Sequence, residues 1–147
     1  VRYEPGLVEV VAYKNGNKWA TDMVKTTGKA EKLVMYSDKR TLPTDKPELA
    51  FLTVQVQDKE GLMVPQSNPL IRFEISGPGE IVATDNGDAT SFIPFRSKER
   101  PAFNGLALVI VKARKGASGQ ITVKATSNGL QTGTVTIDLI QIIRNNE

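Results

Sequence analysis

The 147 residues include no cysteine and no histidine. Without thiols there is no disulfide and no thiolate nucleophile. Without imidazole there is no histidine general base, and the zinc and haem sites built on soft or imidazole ligands are excluded. Any catalysis would rest on carboxylates, Lys, Ser or Tyr. Aromatic residues make up only 6% of the chain, with Trp19 the single tryptophan, which leaves little material for a stacking platform. No apolar run is long enough to cross a bilayer, and no charged, then apolar, then small-residue segment opens the chain, so no membrane partner is expected. Charge of one sign is also lacking: 19 basic residues face 16 acidic ones, a net +3, with no basic run. That pattern describes a solvated surface, and no nucleic-acid partner is expected. The chain opens at Val1 without Met, from which we expect a piece of something longer.

What is present is ordinary globular material, 39% hydrophobic and 24% charged, enough for one buried core. Residues 7–13 and 19–25 alternate apolar and polar side chains around Asn15-Gly16, which is the strongest short-range hairpin pattern. An isolated hairpin is marginal in water. Residues 1–28 therefore either pair with the domain C-terminal to them or close a domain whose earlier strands lie elsewhere.

A second unit begins near Glu31. Residues 32–38 read as a strand and 40–48, with Pro43 and Pro47, as a loop. In residues 49–58 Leu52, Val54 and Val56 share one face, the expected core face. Residues 63–69 cross over, and 70–76 return with Ile71, Phe73 and Ile75 together. Residues 106–114 are apolar enough to be covered on both sides, and 120–127 and 130–140 form a hairpin about Asn128-Gly129. No helical period survives. Some seven short strands rich in Val, Ile and Thr predict an all-β, immunoglobulin-like antiparallel β-sandwich with an extra N-terminal β-hairpin.

The stretch from Gly77 to Gly105 stands apart. It holds three of five phenylalanines, Phe92, Phe95 and Phe103, beside Arg96, Lys98 and Arg100. Ile81–Ala83 reads as a short strand. The favoured reading makes the aromatics plugs for the sandwich end and leaves the charges outside, although cations beside aromatics also stack on sugars or bases. Asp85, Asp88 and Glu99 hold carboxylates of the kind glycoside hydrolysis needs in pairs. The favoured reading of Asp85 and Asp88 is self-capping of the Asp85-Asn86-Gly87-Asp88 turn, with calcium a minor alternative because the spacing of an EF-hand loop is absent. Tyr3, Tyr13 and Trp19 read as buried packing of the hairpin ahead of a sugar groove.

YEPGLVEVVAYKNGNKWATDMVKTTG resembles the closing hairpin of an immunoglobulin-like domain in bacterial glycoside hydrolase family 2 enzymes, chiefly those called beta-galactosidases. ELAFLTVQVQDKEGLMVP is similar to DLSFVTVEV-type text of that family, and GPGEIVATDNGD, SF and ERPAFNGLALVIV resemble the signature of the next, C-terminal domain of those enzymes. The resemblance covers residues 2 to about 137. It departs at Asp85, where the family's usual text has glycine. It implies residues 1–28 as the closing hairpin of a preceding immunoglobulin-like domain, 29–141 as the sandwich and 142–147 as a tail. It implies a parent with a sugar-binding jelly roll, immunoglobulin-like spacers and a barrel holding two catalytic glutamates, a retaining beta-galactosidase exported to the periplasm or the cell surface. No catalytic motif of that parent lies here, so no catalytic residue and no metal or cofactor is assigned.

The expected function is that of a non-catalytic accessory domain docking on the catalytic part. The alternatives are a carbohydrate-binding module and an extracellular spacer or adhesin domain. A docking or sugar-contact loop would bear Asn86, Asp88, Arg100 and Phe103. The expected partners are other domains of the parent glycosidase, then a glycan, then a second copy paired through the N-terminal hairpin.

Overall fold

The structure, a computed structural model, describes residue 2 and residues 4–141. Tyr3 and the 142–147 tail lie outside the described residues. Among the described residues there are eleven strands: β1 (Leu7–Lys14), β2 (Asn17–Lys25), β3 (Ala30–Ser37), β4 (Thr41–Pro43), β5 (Leu49–Asp58), β6 (Leu70–Ser76), β7 (Gly79–Asp85), β8 (Glu99–Pro101), β9 (Leu106–Ala113), β10 (Gly119–Thr126) and β11 (Gly133–Ile140). One sheet runs β3-β5-β9-β7 and the other β4-β11-β10-β6-β8, while β1 and β2 form a separate two-stranded sheet.

The period-2 pattern explains the core. Leu52, Val54 and Val56 of β5 and Ala107, Val109 and Val111 of β9 face Ile71 and Phe73 of β6, Ile121 and Val123 of β10 and Ile137 of β11, all buried. Each larger aliphatic side chain so enclosed contributes about 1.5–3 kcal/mol. The outer face of β9 is only half covered, since Leu106, Leu108 and Ile110 alternate with the buried positions. Full cover on both sides was expected there, but among the described residues no strand lies over that sheet face.

The expected sandwich is present, with three edge features beyond the sequence reading. β4 sits inside the proline-containing stretch read as loop and pairs with β11 in parallel, Thr41 opposite Asp138, an exception to the antiparallel pattern. β7 is longer than Ile81–Ala83 and bulged between Ile81 and Ala83. β8 adds a three-residue edge to β6, Arg100 opposite Ile71. The segment 63–69 crosses between the sheets as expected, pinned where Val64 donates its N–H to the Val56 carbonyl at 2.8 Å.

The β1–β2 hairpin turns at Asn15 (φ 53°) and Gly16 (φ 77°), both left-handed as a two-residue hairpin turn requires. Every residue of both strands except Val11 is exposed, and Trp19 is 71% exposed, with only the Lys14 ammonium 5.4 Å from its ring centroid. This corrects the reading of Tyr13 and Trp19 as buried: no other strand lies against either hairpin face among the described residues. The hairpin is held at its base. Asp58 Oδ2 accepts the N–H of Gly28 at 2.8 Å, and Lys25 pairs with Glu60.

Candidate functional site: the clasped connection between the two sheet edges

The stretch from Gly77 to Gly105 gives an edge strand to each sheet, β7 to one and β8 to the other, and crosses the open side of the sandwich between them. Because Arg100 lies opposite the core residue Ile71, its side chain is directed inward, and it is 1% exposed. Its Nε donates to Thr84 Oγ1 at 3.3 Å. Nη2 donates to the carbonyls of Thr84 at 2.7 Å and Pro94 at 3.0 Å. Nη1 donates to the Ile93 carbonyl at 3.0 Å and to Ser91 Oγ at 3.4 Å. A guanidinium has five N–H donors, and here each meets an acceptor, none of which is charged. The Phe95 ring lies 5.9 Å from the guanidinium carbon.

Thr84 is the hub of this clasp. It is fully buried, donates its hydroxyl to the Ser97 carbonyl at 2.7 Å and its N–H to the Phe95 carbonyl at 2.6 Å. On the other sheet Phe73 donates its N–H to the Lys98 carbonyl at 2.8 Å. The crossing is therefore stitched to both edges, with its carbonyls turned inward onto one cation.

The turn before the crossing is self-capped, in line with the favoured reading. Asp85 Oδ1 accepts the amides of Asn86 (2.7 Å) and Gly87 (3.2 Å), and Asn86 Oδ1 accepts that of Asp88 (3.0 Å). Asp88 Oδ1 accepts the hydroxyl (2.7 Å) and amide (2.9 Å) of Thr90, and those bonds hold its carboxyl below the usual aspartate range. The positive φ falls on Gly87 (75°) and not on Asp85, so aspartate replaces the family's glycine there without backbone strain. Asn86 Nδ2 reaches the Pro101 carbonyl at 3.0 Å and ties the turn to β8.

The four residues singled out from the sequence thus separate. Asn86 and Asp88 are engaged in the turn, Arg100 is enclosed, and Phe103, beside the Asn104-Gly105 turn, is 37% exposed. The expectation of aromatic plugs with charges outside is overturned. Arg96 and Lys98 are exposed as expected, but Phe92 is 99% exposed and Phe95 is also exposed, while Arg100 fills the interior. A guanidinium supplies the donors that the converging carbonyls require, which no phenyl ring can do. The carboxylates do not combine into a pair: Glu99 binds Arg72 at 2.9 Å, while Asp85 and Asp88 serve their own turns. Among the described residues no three side chains converge on a metal position. Thr84 carried no sequence cue and Phe92 was read as a plug, because hub position and exposure depend on the crossing being clasped.

Known proteins share this fold. Residues 33–136 match the family model of the glycoside hydrolase family 2 C-terminal domain 5. The chain is 34% identical over 137 residues to Beta-galactosidase BoGH2A of Bacteroides ovatus, covering 93% of this chain and 16% of that protein. It superposes with a TM-score of 0.90 on a glycosyl hydrolase family 2 member from Bacteroides cellulosilyticus, at 27% identity, covering 95% of this chain and 18% of that one. A beta-glycosidase from Bacteroides vulgatus shares the fold at a TM-score of 0.86 and 24% identity, covering 94% of this chain and 18% of its own. The chain thus spans less than a fifth of each of these relatives. On the family match and the shared fold, it belongs to the glycoside hydrolase family 2 C-terminal domain 5 family.

Proposed function

We propose that this chain is a non-catalytic accessory domain of a beta-galactosidase-type, retaining family 2 glycoside hydrolase, and that it docks on the catalytic part of the longer protein through the clasped crossing. The observation that carries the reading is Phe92, fully exposed on a loop whose carbonyls are held by the buried Arg100. A large aromatic on a pre-ordered support is the usual form of an interface anchor, because little further ordering is required when it inserts into a partner pocket. Phe95 is exposed on the same loop. A sugar platform built on Asn86, Asp88, Arg100 and Phe103 is less well supported, because the first three engage their polar atoms inside the domain.

In this reading residues 1–28 are the closing hairpin of a preceding immunoglobulin-like domain, and its two bare faces meet strands of the longer protein. Residues 29–141 are the accessory sandwich, and the parent acts in the periplasm or at the cell surface. The test compares Phe92→Ser in the longer enzyme and in this chain. The expected outcome is a lower melting temperature and weaker attachment of the domain in the enzyme, an unchanged KM, and an unchanged melting temperature in the chain alone. Unchanged stability of the enzyme would reject docking through this loop. Saturable calorimetric binding of galactose, lactose or a galactan to the chain, lost in a folded Phe103→Ala variant, would favour the carbohydrate-binding module instead.

A further inference from the structure

The chain contains four Asn-Gly pairs, at residues 15–16, 86–87, 104–105 and 128–129. In such a pair the glycine amide nitrogen can attack the Asn side-chain carbonyl carbon, because no Cβ on the following residue obstructs the approach. The attack requires a free Asn amide, and the peptide between the two residues must rotate out of its tight turn. The fold meets these conditions unequally.

At Asn86 both reacting groups are held. Its Oδ1 accepts the Asp88 N–H at 3.0 Å, its Nδ2 donates to the Pro101 carbonyl at 3.0 Å, and the Gly87 amide donates to Asp85 Oδ1 at 3.2 Å. At Asn104 the backbone is held. Phe103 and Leu106 exchange N–H to carbonyl bonds across the turn at 2.8 and 3.0 Å, and the carbonyl of buried Gly105 accepts the Val56 N–H at 2.8 Å. Asn128 is exposed, but its turn joins β10 to β11 inside the five-stranded sheet, and Ser127 Oγ donates to the Leu70 carbonyl beside it at 2.8 Å.

Asn15 differs from all three. It and Gly16 are exposed, and its side-chain amide has no hydrogen-bond partner among the described residues. Its turn joins β1 to β2, and no other strand lies against either face of that pair among the described residues. The bonds of Gly28 to Asp58 and of Lys25 to Glu60 fasten the other end of the hairpin. A two-stranded hairpin is marginal in water, so its tip opens at less cost than a turn inside a packed sandwich.

We propose that Asn15 is a site of spontaneous deamidation, by which the chain converts its own hairpin turn to isoaspartate. The Gly16 nitrogen forms a bond to Asn15 Cγ, the Cγ–Nδ2 bond breaks, and ammonia leaves with the Gly16 amide proton. Water then opens the succinimide, at Cγ to give aspartate or at the main-chain carbonyl to give isoaspartate. In isoaspartate the main chain runs through Cβ and Cγ, which lengthens a two-residue turn and leaves a carboxylate beside it. The left-handed pair at Asn15 and Gly16 that a tight hairpin needs is lost, and with it the pairing of Lys14 with Asn17. This site is separate from the Phe92 loop, so its test stands apart from that of docking.

The 147-residue chain would be held in warm, mildly alkaline buffer, with and without denaturing urea, and its Asn-Gly peptides followed by mass spectrometry and by isoaspartyl methyltransferase labelling. In buffer the expected product is isoaspartate at residue 15, formed at least about tenfold faster than at residues 86 and 104 and faster than at 128. In urea the four rates should converge, because the fold sets the difference. Asn15→Gln should abolish the product at residue 15 and leave the other three rates unchanged. Amide NMR of the aged chain should show the Lys14 and Asn17 resonances moved and those of the sandwich in place. A rate at Asn15 no greater than at Asn86 and Asn104 overturns the site. A difference that survives in urea overturns its structural cause, and unmoved Lys14 and Asn17 resonances overturn the loss of the turn.

Discussion

Arg100 Nη2 donates to the carbonyl oxygen of Thr84 at 2.7 Å inside the flank of the sandwich, and the bonds around it use every guanidinium donor on neutral acceptors. Arg100→Ala therefore strands the carbonyls of Thr84, Ile93 and Pro94 together. Leaving a buried polar group unsatisfied costs about 1–3 kcal/mol, so the expected loss is about 3 kcal/mol or more in total. Arg100→Lys keeps the charge but not the fork and should lose at least about 1.5 kcal/mol. Urea midpoints measure both, and hydrogen exchange at the Thr84 amide, bonded to the Phe95 carbonyl, reports whether the loop has come free.

Asp58 sets an acid limit on the attachment of the hairpin. Its carboxylate accepts the amides of Gly28, Leu62 and Glu60, and the Gly28 bond is the foremost cause holding its pKa below the ordinary value. With a lowered folded pKa, the stabilisation is fully present above the unfolded value of about 3.9 and is lost as pH falls through the lower folded value. The Gly28 amide resonance should be constant from neutral pH down to about 4 and move only below that. Asp58→Asn should abolish that acid step. A Gly28 titration centred above the ordinary aspartate value would contradict the assignment.

Two glycines separate backbone strain from collision. A Cβ on Gly77 (φ 87°) would stand 2.1 Å from the Gln120 carbonyl oxygen, whereas one on Gly87 (φ 75°) meets nothing within 4 Å. Gly87→Ala should cost about 1–2 kcal/mol, from left-handed backbone alone. Gly77→Ala must also displace β10 and should cost clearly more than about 2 kcal/mol. Thermal melts of the pair decide it, and equal losses would refute the collision.

Alone in solution, the chain should associate through β1 and β2. Val8, Val10, Val24 and Trp19 are exposed, and the strands present free edges. Light scattering should give a mass above that of the monomer, falling to the monomer with Val10→Lys/Val24→Lys. A monomeric mass for the unsubstituted chain would remove edge pairing as a property of this hairpin.

The regular strands were legible because period-2 alternation and Asn-Gly turns are local. Leu52, Val54 and Val56 declared their face, and Asn15-Gly16 its turn, without knowledge of any partner. β4 and β8 were not legible: each is three residues long and contains proline, and each exists only because a distant strand offers it an edge. The candidate loop misled for a related reason. Arg100 looks like surface charge in sequence, and only the convergence of carbonyls from residues 84, 93 and 94 makes its burial favourable. Phe92 is its counterpart, an apolar residue that this domain does not bury.

The parallel pairing of β4 with β11 bears on how the domain is made. Thr41 meets Asp138, so an edge strand synthesised early waits for the last strand before it gains a partner. Nearly the whole sandwich must emerge from the ribosome before this seam closes, and contacts so far apart in sequence form slowly. Ribosome stalling or truncation within the last strand would leave β4 unpaired and the neighbouring core, including Leu42, open to water. The final residues of β11 therefore act as the latch on a fold whose other strands can already be in place.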